Sequence, residues 1–215
     1  MSGPEIDRET LEVIVVRAKR QVRARMRSLR RALPATAIAQ RSHAIVERLV
    51  KLPAFVAARS IASFWPIEKN HEVDLRPLDA LARQAGKSLY YPFMEPSGEV
   101  VRTGFRRVDD PGALVPRTQS FAEPPPDAPE AARGEIDLVL VPALAADGAG
   151  YRVGYGAGFY DATLPDIRPP AVAVIVAFDF QLLAEAPRAN ADVRCDLVIT
   201  DLRVIEPHVW SNDPH

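Results

Sequence analysis

Three alternating glycines, Gly154, Gly156 and Gly158, stand between Arg152 and the run Phe159-Tyr160-Asp161, and this short stretch has the means to hold a phosphate. Glycine reaches conformations closed to other residues, so the backbone can turn tightly and bring bare N–H groups against a ligand. The run FYDATL that follows reads as the opening of a helix, whose free N-terminal amides favour an anion. Arg152 adds a cation, and Asp161 supplies a carboxylate of the kind that takes a magnesium ion bridging a phosphate. An ordinary glycine loop with a helix-capping acid fits the same residues, and the stretch alone leaves both readings open.

The spacing excludes the two best-known phosphate loops. A P-loop needs Gly-Lys-Ser/Thr, and no such triplet follows these glycines. The dinucleotide fingerprint needs G-x-G-x-x-G directly after a strand, whereas here G-x-G-x-G follows a loop. A nucleotide bound here is held by another architecture.

Such a loop needs a strand before it and a helix after it. An apolar strand over 136–141 runs into Pro142 and then the loop. Further continuous apolar runs at 171–178 and 196–200 suit strands buried on both faces of a parallel sheet. Upstream, Leu11, Val15, Ala18, Val22, Met26, Leu29 and Leu33 are spaced by three or four and predict an amphipathic helix over about 10–33. Eight basic residues between Arg17 and Arg31 cover its other faces. A second helix is expected over 36–51, a strand over 60–65, and a loop holding His71 and Glu72. A helix over 74–85 stops at Gly86, and short strands follow at 88–92 and 100–108. Residues 121–134 read as a proline-rich surface loop without core-forming residues. Strands alternating with helices predict an α/β fold, a three-layer α/β/α sandwich with a mostly parallel central sheet, whose ligands bind outside the carboxyl ends of the strands.

The composition fits that class. The 215 residues suit one domain spanning the whole chain, with an N-terminal helical arm. A formal charge of −1 argues against a dedicated nucleic-acid binder. The single cysteine, Cys195, excludes an internal disulfide and a cysteine-cluster zinc site, and beside the run LVIT it reads as core filler. No apolar run reaches the roughly 18 residues of a membrane span. The start, MSGPEIDRET, lacks the apolar stretch of a secretory signal, so a cytoplasmic location is expected.

The run from Asp147 to Asp161 follows D-x-x-G-x-R-x-G-x-G-x-G-[FY]-Y-D and resembles the signature of the 5-formyltetrahydrofolate cyclo-ligase family, the methenyltetrahydrofolate synthetases. Ala18-Lys19-Arg20-Gln21-Val22-Arg23 is similar to the family's N-terminal A-K-R-x-x-R. Glu72-Val73-Asp74 with Pro77-Leu78 is similar to its E-[IV]-D-T-x-P-L, and Phe121-Ala122-Glu123-Pro124 to its G-I-x-E-P turn. Gln181, Pro187 and Asp192 resemble the segment ahead of its last strand. The pieces keep their order and spacing over almost the whole chain.

The resemblance implies the same α/β/α arrangement and an ATP-dependent closure of 5-formyltetrahydrofolate to 5,10-methenyltetrahydrofolate with release of ADP and phosphate. An amide oxygen is a poor leaving group. Phosphorylating the formyl oxygen solves this, after which nitrogen-10 attacks the activated carbon within the same molecule, so the protein mainly positions groups and neutralises charge. By resemblance Lys19 and Arg152 are the catalytic cations. Lys19, Arg20, Gln21, Val22 and Arg23, with Arg152, Val153, Gly154, Tyr155, Gly156, Ala157, Gly158, Phe159 and Tyr160, form the ATP site. Glu72 would meet the pterin ring, with Tyr155, Gly156, Ala157, Gly158 and Phe159 on the folate side; Phe159 serves equally as core. Asp161 and Asp192 match the family's magnesium-linked acids. His71 has no counterpart in the family motif and is expected to be a solvent-exposed loop residue. The long side chains of Lys19 and Arg152 are expected at the surface, contributing little to stability. Both partners are then small molecules, with no nucleic acid, membrane or obligate protein partner.

Some positions depart from the pattern. Ala157 stands where relatives carry glycine or lysine, Leu75 replaces threonine, Ala146 replaces an aromatic, and Ala162 replaces a frequent arginine. Ala189, Asn190 and Ala191 lack the acids and histidine common before the matching Asp192. These leave open a cyclo-ligase-like paralogue acting on another small molecule, or a non-catalytic nucleotide- or folate-binding protein.

Overall fold

The structure, a computed structural model, describes residues 7–98, 100–116 and 122–207. Phe121, which opens the expected proline-rich loop, lies outside the described residues. The chain begins with α1 (Arg8–Ala32), α2 (Ala35–Leu49), α3 (Pro53–Ala57) and the first strand, β1 (Ser60–Ala62). Helix α4 (Arg76–Gln84) leads into β2 (Ser88–Ser97) and β3 (Val100–Arg107), then the short β4 (Val115–Pro116) and β5 (Ala122–Glu123). Strands β6 (Leu138–Pro142), β7 (Ala145–Asp147) and β8 (Arg152–Val153) precede α5 (Phe159–Ile167). The remaining strands are β9 (Val172–Val176), β10 (Leu182–Leu183), β11 (Leu197–Ile199) and β12 (Val204–Ile205).

Among the described residues the central sheet runs β12-β11-β9-β6-β1-β2-β3. Its five inner strands are parallel to one another, and only the edge strands β3 and β12 pair antiparallel. Alternation along the strands builds two cores. Ile61, Leu138, Leu140, Val174 and Val176 face α2 and α4, whereas Ala62, Val139, Val141, Ala173 and Ile175 face α5. Strands buried on both faces carry no polar alternation, which is why these segments read as continuous apolar runs.

Three expectations change. The strands expected at 88–92 and 100–108 form one long hairpin, with β2 continuing to Ser97 across from Val100. The added segment, FMEPS, holds the buried Phe93 but ends without an apolar pattern, which the ladder to β3 does not need. Pro96 is tolerated because β2 pairs with β1 only at Ser88 to Tyr90, so no β1 ladder bond is lost at the proline. The proline-rich segment is not wholly superficial: Glu123 and Pro124 are buried, and Glu130 bonds Arg106. The stripe of α1 is buried only in part. Leu11 (52% exposed) and Leu29 (40%) face outward, as do Val13, Ile14 and Val16 beside the stripe, while Met26 packs with Leu144, Ala145, Val153 and Ala186. Helix α1 thus lies not in either layer but against the small sheet β10-β7-β8, which rises from the carboxyl end of β6.

Candidate active site

The glycine loop joins β8 to α5. Gly156 (φ +109°) and Gly158 (φ +73°) both take conformations that side chains resist. Gly158 is the N-cap of α5, and no side chain caps that helix, so its first amides are open to a ligand. A Cβ at Gly156 would stand 3.4 Å from the Arg23 guanidinium carbon, so the glycine also admits α1 to the loop. Ala157 is exposed and does not share the positive φ of its neighbours.

Helix α1 reaches this loop with one face. Arg23 Nε donates to the Gly154 carbonyl at 2.9 Å. One turn earlier, Lys19 Nζ donates to both oxygens of Asp192, at 2.6 and 2.5 Å. Arg152 donates to Asp161 Oδ1 at 2.9 Å and to the Val193 carbonyl at 2.8 Å, and the Val193 amide returns to Asp161 Oδ1 at 3.1 Å. Lys19, Arg23, Arg152, Asp161 and Asp192 are therefore gathered from three distant segments. The expectation of surface cations fails, because the side chains of Lys19 and Arg152 are only 13% and 4% exposed. Lys19 is clamped by an aspartate across the fold, and Arg152 by Asp161, nine residues on, and by the distant Val193 carbonyl.

The other expected residues are distributed around this cluster. Gln21 and Val22 line a groove of about 620 Å³ between α1 and the 183–188 segment, with Pro187 opposite. Arg20 is exposed and makes no hydrogen bond among the described residues. Val153 is buried against Met26. Phe159 is core, meeting Phe105 edge-on at 5.4 Å, so its backbone rather than its ring is available to a ligand. Tyr160 lies under Arg152, 5.7 Å from the guanidinium carbon, with its hydroxyl buried and without a hydrogen-bond partner among the described residues. Gln181 is fully buried and donates to the carbonyls of Ala143 and Leu144, fixing the turn after β6 rather than facing a ligand. Cys195 is core as expected, its thiol pushed up to about 11 by burial.

Glu72 is buried at 6% exposure, and its Oε2 accepts from the Ile67 amide at 2.7 Å. Burial raises its pKa, against the lowering effects of the Tyr155 hydroxyl, the Ile67 amide and the Arg30 guanidinium. Tyr155 belongs to the glycine loop, so the loop and the Glu72 segment touch. Arg30 is the functional candidate missing from the sequence reading. It is 2% exposed, donates through Nη2 to the Tyr155 hydroxyl, and carries a buried Nε without a partner. Within a helix so rich in arginine, nothing in the sequence distinguished it from solvated neighbours. His71 is not a free loop residue either. Its Nδ1–H donates to the Arg30 carbonyl at 2.9 Å, and its backbone is left-handed at φ 49°.

The acids fit a magnesium ion unequally. Mg²⁺ typically takes one or two carboxylates plus substrate phosphates and waters, so a large acidic cage is not required. Among the described residues no group of three or more histidines, cysteines or acids gathers. Asp161 keeps Oδ2 free of hydrogen bonds among the described residues and fits that single-carboxylate role. Both oxygens of Asp192 are engaged by Lys19, and Oδ2 also accepts from the Ala189 amide, so it fits only if the lysine leaves. Among the described residues no helix is long and apolar enough to cross a membrane.

The model of the 5-formyltetrahydrofolate cyclo-ligase family matches residues 15–201, and the chain belongs to that family. A 5-formyltetrahydrofolate cyclo-ligase of Mycolicibacterium smegmatis is 45% identical over 96 residues, a match that spans 44% of this chain and half the length of that relative. The Escherichia coli K12 protein of the same name is 28% identical over 185 residues, covering 84% of this chain and 99% of its own. The NMR structure of the Aquifex aeolicus 5,10-methenyltetrahydrofolate synthetase superposes with a TM-score of 0.75 at 27% identity, over 92% of this chain and 96% of the other. A Mycoplasma pneumoniae synthetase shares the fold, with a TM-score of 0.66 at 21% identity, over 85% and 98%.

Proposed function

We propose that this member of the 5-formyltetrahydrofolate cyclo-ligase family closes 5-formyltetrahydrofolate to 5,10-methenyltetrahydrofolate at the expense of ATP, the whole chain acting as one unit in the cytoplasm. The observation that carries the reading is the meeting of two half-sites. One is cationic, where Lys19, Arg23 and Arg152 converge on the glycine loop; the other is acidic, at Glu72, and Tyr155 joins them.

In this reading the triphosphate lies on the amides from Gly154 to Gly158 and at the N-terminus of α5, and the apolar groove beside Gln21 and Val22 takes the base. Lys19 exchanges Asp192 for the γ-phosphate and balances the charge that shifts as the phosphoryl group passes to the formyl oxygen. Arg152 stays with Asp161 and holds that acid and the Val193 segment in place. A magnesium ion on Asp161 would add charge neutralisation between the phosphates. Glu72 accepts N–H bonds from the pterin and fixes the formyl group at the loop. Nitrogen-10 then forms its bond to the formyl carbon and gives up its proton to solvent, the carbon–oxygen bond breaks, and phosphate carries the oxygen away. No covalent protein intermediate is needed, consistent with the inert, buried Cys195.

Pure protein with 5-formyltetrahydrofolate, ATP and magnesium should generate the absorbance of methenyltetrahydrofolate. Folded protein that binds both ligands without turnover would reduce the reading to a binding protein. ATP hydrolysis driven by another formylated compound would move it to a paralogue.

A further inference from the structure

Arg30 stands out among the buried groups. A guanidinium removed from water is costly unless a counter-charge and hydrogen bonds replace the solvent. Among the described residues Arg30 has no ion pair within 4.0 Å, and its Nε has no partner. What it does have is the Tyr155 hydroxyl, to which Nη2 donates. A hydroxyl that accepts from Arg30 has its proton left to give, and Glu72 is the acid whose pKa that hydroxyl lowers. The Tyr155 ring is also held between two cations, with Arg27 and Arg30 at 5.7 and 5.6 Å from its centroid. His71, next to Glu72 in the chain, ties its ring to the Arg30 carbonyl at 2.9 Å. Helix α1, the glycine loop and the Glu72 segment therefore meet at one residue, Arg30.

We propose that Arg30 is a positioning residue for Glu72, acting through the Tyr155 hydroxyl, so that one buried cation links the phosphate loop to the folate end of the site. Its role is to keep the Glu72 carboxylate ionised and turned to accept from the pterin. This rests on the reading of Glu72 as the pterin acceptor. Among the described residues the groups that act on Glu72 are Arg30 from α1, Tyr155 from the loop and the Ile67 amide from its own segment. Of these Arg30 alone carries a positive charge, and burial works against it by raising the carboxyl pKa. Removing Arg30, or the hydroxyl that transmits it, must raise that pKa further.

The test compares wild type with Arg30→Gln, Arg30→Lys and Tyr155→Phe. The Glu72 titration is followed by carboxyl NMR in ligand-free protein, and KM for folate and for ATP is followed against pH. Arg30→Gln and Tyr155→Phe should move the Glu72 titration and the acid limb for folate upward by about one pH unit, a tenfold weaker KM for folate on that limb that exceeds any change in KM for ATP. Arg30→Lys should restore part of the shift. Tyr155→Phe keeps the ring and its packing, so it carries the test if Arg30→Gln does not fold. An unmoved Glu72 titration, or equal losses for both substrates, overturns the proposal. Because the NMR titration needs no turnover, its failure is distinct from failure of the cyclo-ligase reading.

Discussion

Lys19 and Asp192 are separated by 173 residues and meet in a two-pronged contact at 2.5 and 2.6 Å, mostly shielded from solvent. The pair joins the N-terminal helix to the segment before the last parallel strand. It also keeps the expected phosphate lysine balanced by a carboxylate until an anion displaces that partner.

Replacing Lys19 with alanine should therefore lower turnover by roughly 10²-fold, because the transferring phosphoryl group loses a cation that acts where charge develops. Asp192 keeps the Ala189 amide as a partner, so the destabilisation should stay near 1 kcal/mol. Steady-state turnover and urea unfolding together check this. Wild-type turnover in a folded variant would remove Lys19 from the reaction.

Arg152 should behave differently despite carrying the same charge. Its removal strips two strong hydrogen bonds from Asp161 and Val193, so Arg152→Ala should lose about 3 kcal/mol of stability as well as activity. A urea midpoint equal to that of wild type would show that the buried pair contributes nothing.

For Glu72→Gln, folate binding should weaken about tenfold while ATP affinity stays near wild type, since one charged acceptor becomes a neutral amide. Wild-type folate affinity should fall on acidification at a pH above the usual carboxylate range, because burial has raised the Glu72 pKa and protonation removes the acceptor. The glutamine variant should lack that dependence. Calorimetry at several pH values reads both, and a pH profile shared by the two proteins would contradict it.

Stability has its own titration at Asp79, buried on the inner face of α4. Burial pushes its pKa up to about 6, although the Tyr91 hydroxyl (2.7 Å) and the Ser63 hydroxyl (2.8 Å) donate to it. A folded-state pKa above the unfolded value means that Asp79 stabilises most fully below about pH 4, and that this contribution is lost as the pH rises through 6, by about 3 kcal/mol at most. Relative to wild type, Asp79→Asn should gain stability between those limits, whatever constant offset the amide introduces. Urea unfolding at several pH values measures the difference curve, and a flat curve would refute the assignment.

Ala157 is exposed between two glycines that already supply the unusual backbone, so a longer side chain is free to extend there. Ala157→Lys should tighten ATP binding by a few-fold through an added cation at the loop, without changing the requirement for folate. Abolished ATP binding would mean that the loop does not present this position to the phosphates.

The sequence carried the glycine loop, the order of strands and helices, and the motif residues, because each rests on local chemistry or a short spacing. Gly86 marked the end of α4 and the apolar runs marked β6, β9 and β11. What it could not carry were the partners. Nothing near Lys19 points to Asp192, and nothing near Arg30 separates a buried arginine from the exposed ones around it. The extension of β2 to Ser97 likewise depended on β3 rather than on its own side chains. The error over Lys19 and Arg152 has the same origin, since side-chain length says nothing about what lies across the fold.

Helix α1 is 25 residues long, or about 37 Å, yet its inward contacts begin only near its middle. Before that point its turns rely on intrinsic propensity and on Asp7, which accepts from the Thr10 amide at 2.9 Å. An isolated helix of that size is marginal in water. Hydrogen–deuterium exchange along α1 should then form a gradient, fast toward Asp7 and slow from Val22 onward. Occupancy of the site, by gripping Lys19 and Arg30, should move the slow boundary toward the free end. Uniform exchange along α1, or a boundary that ignores ligand, would show that the helix does not report what its base is holding.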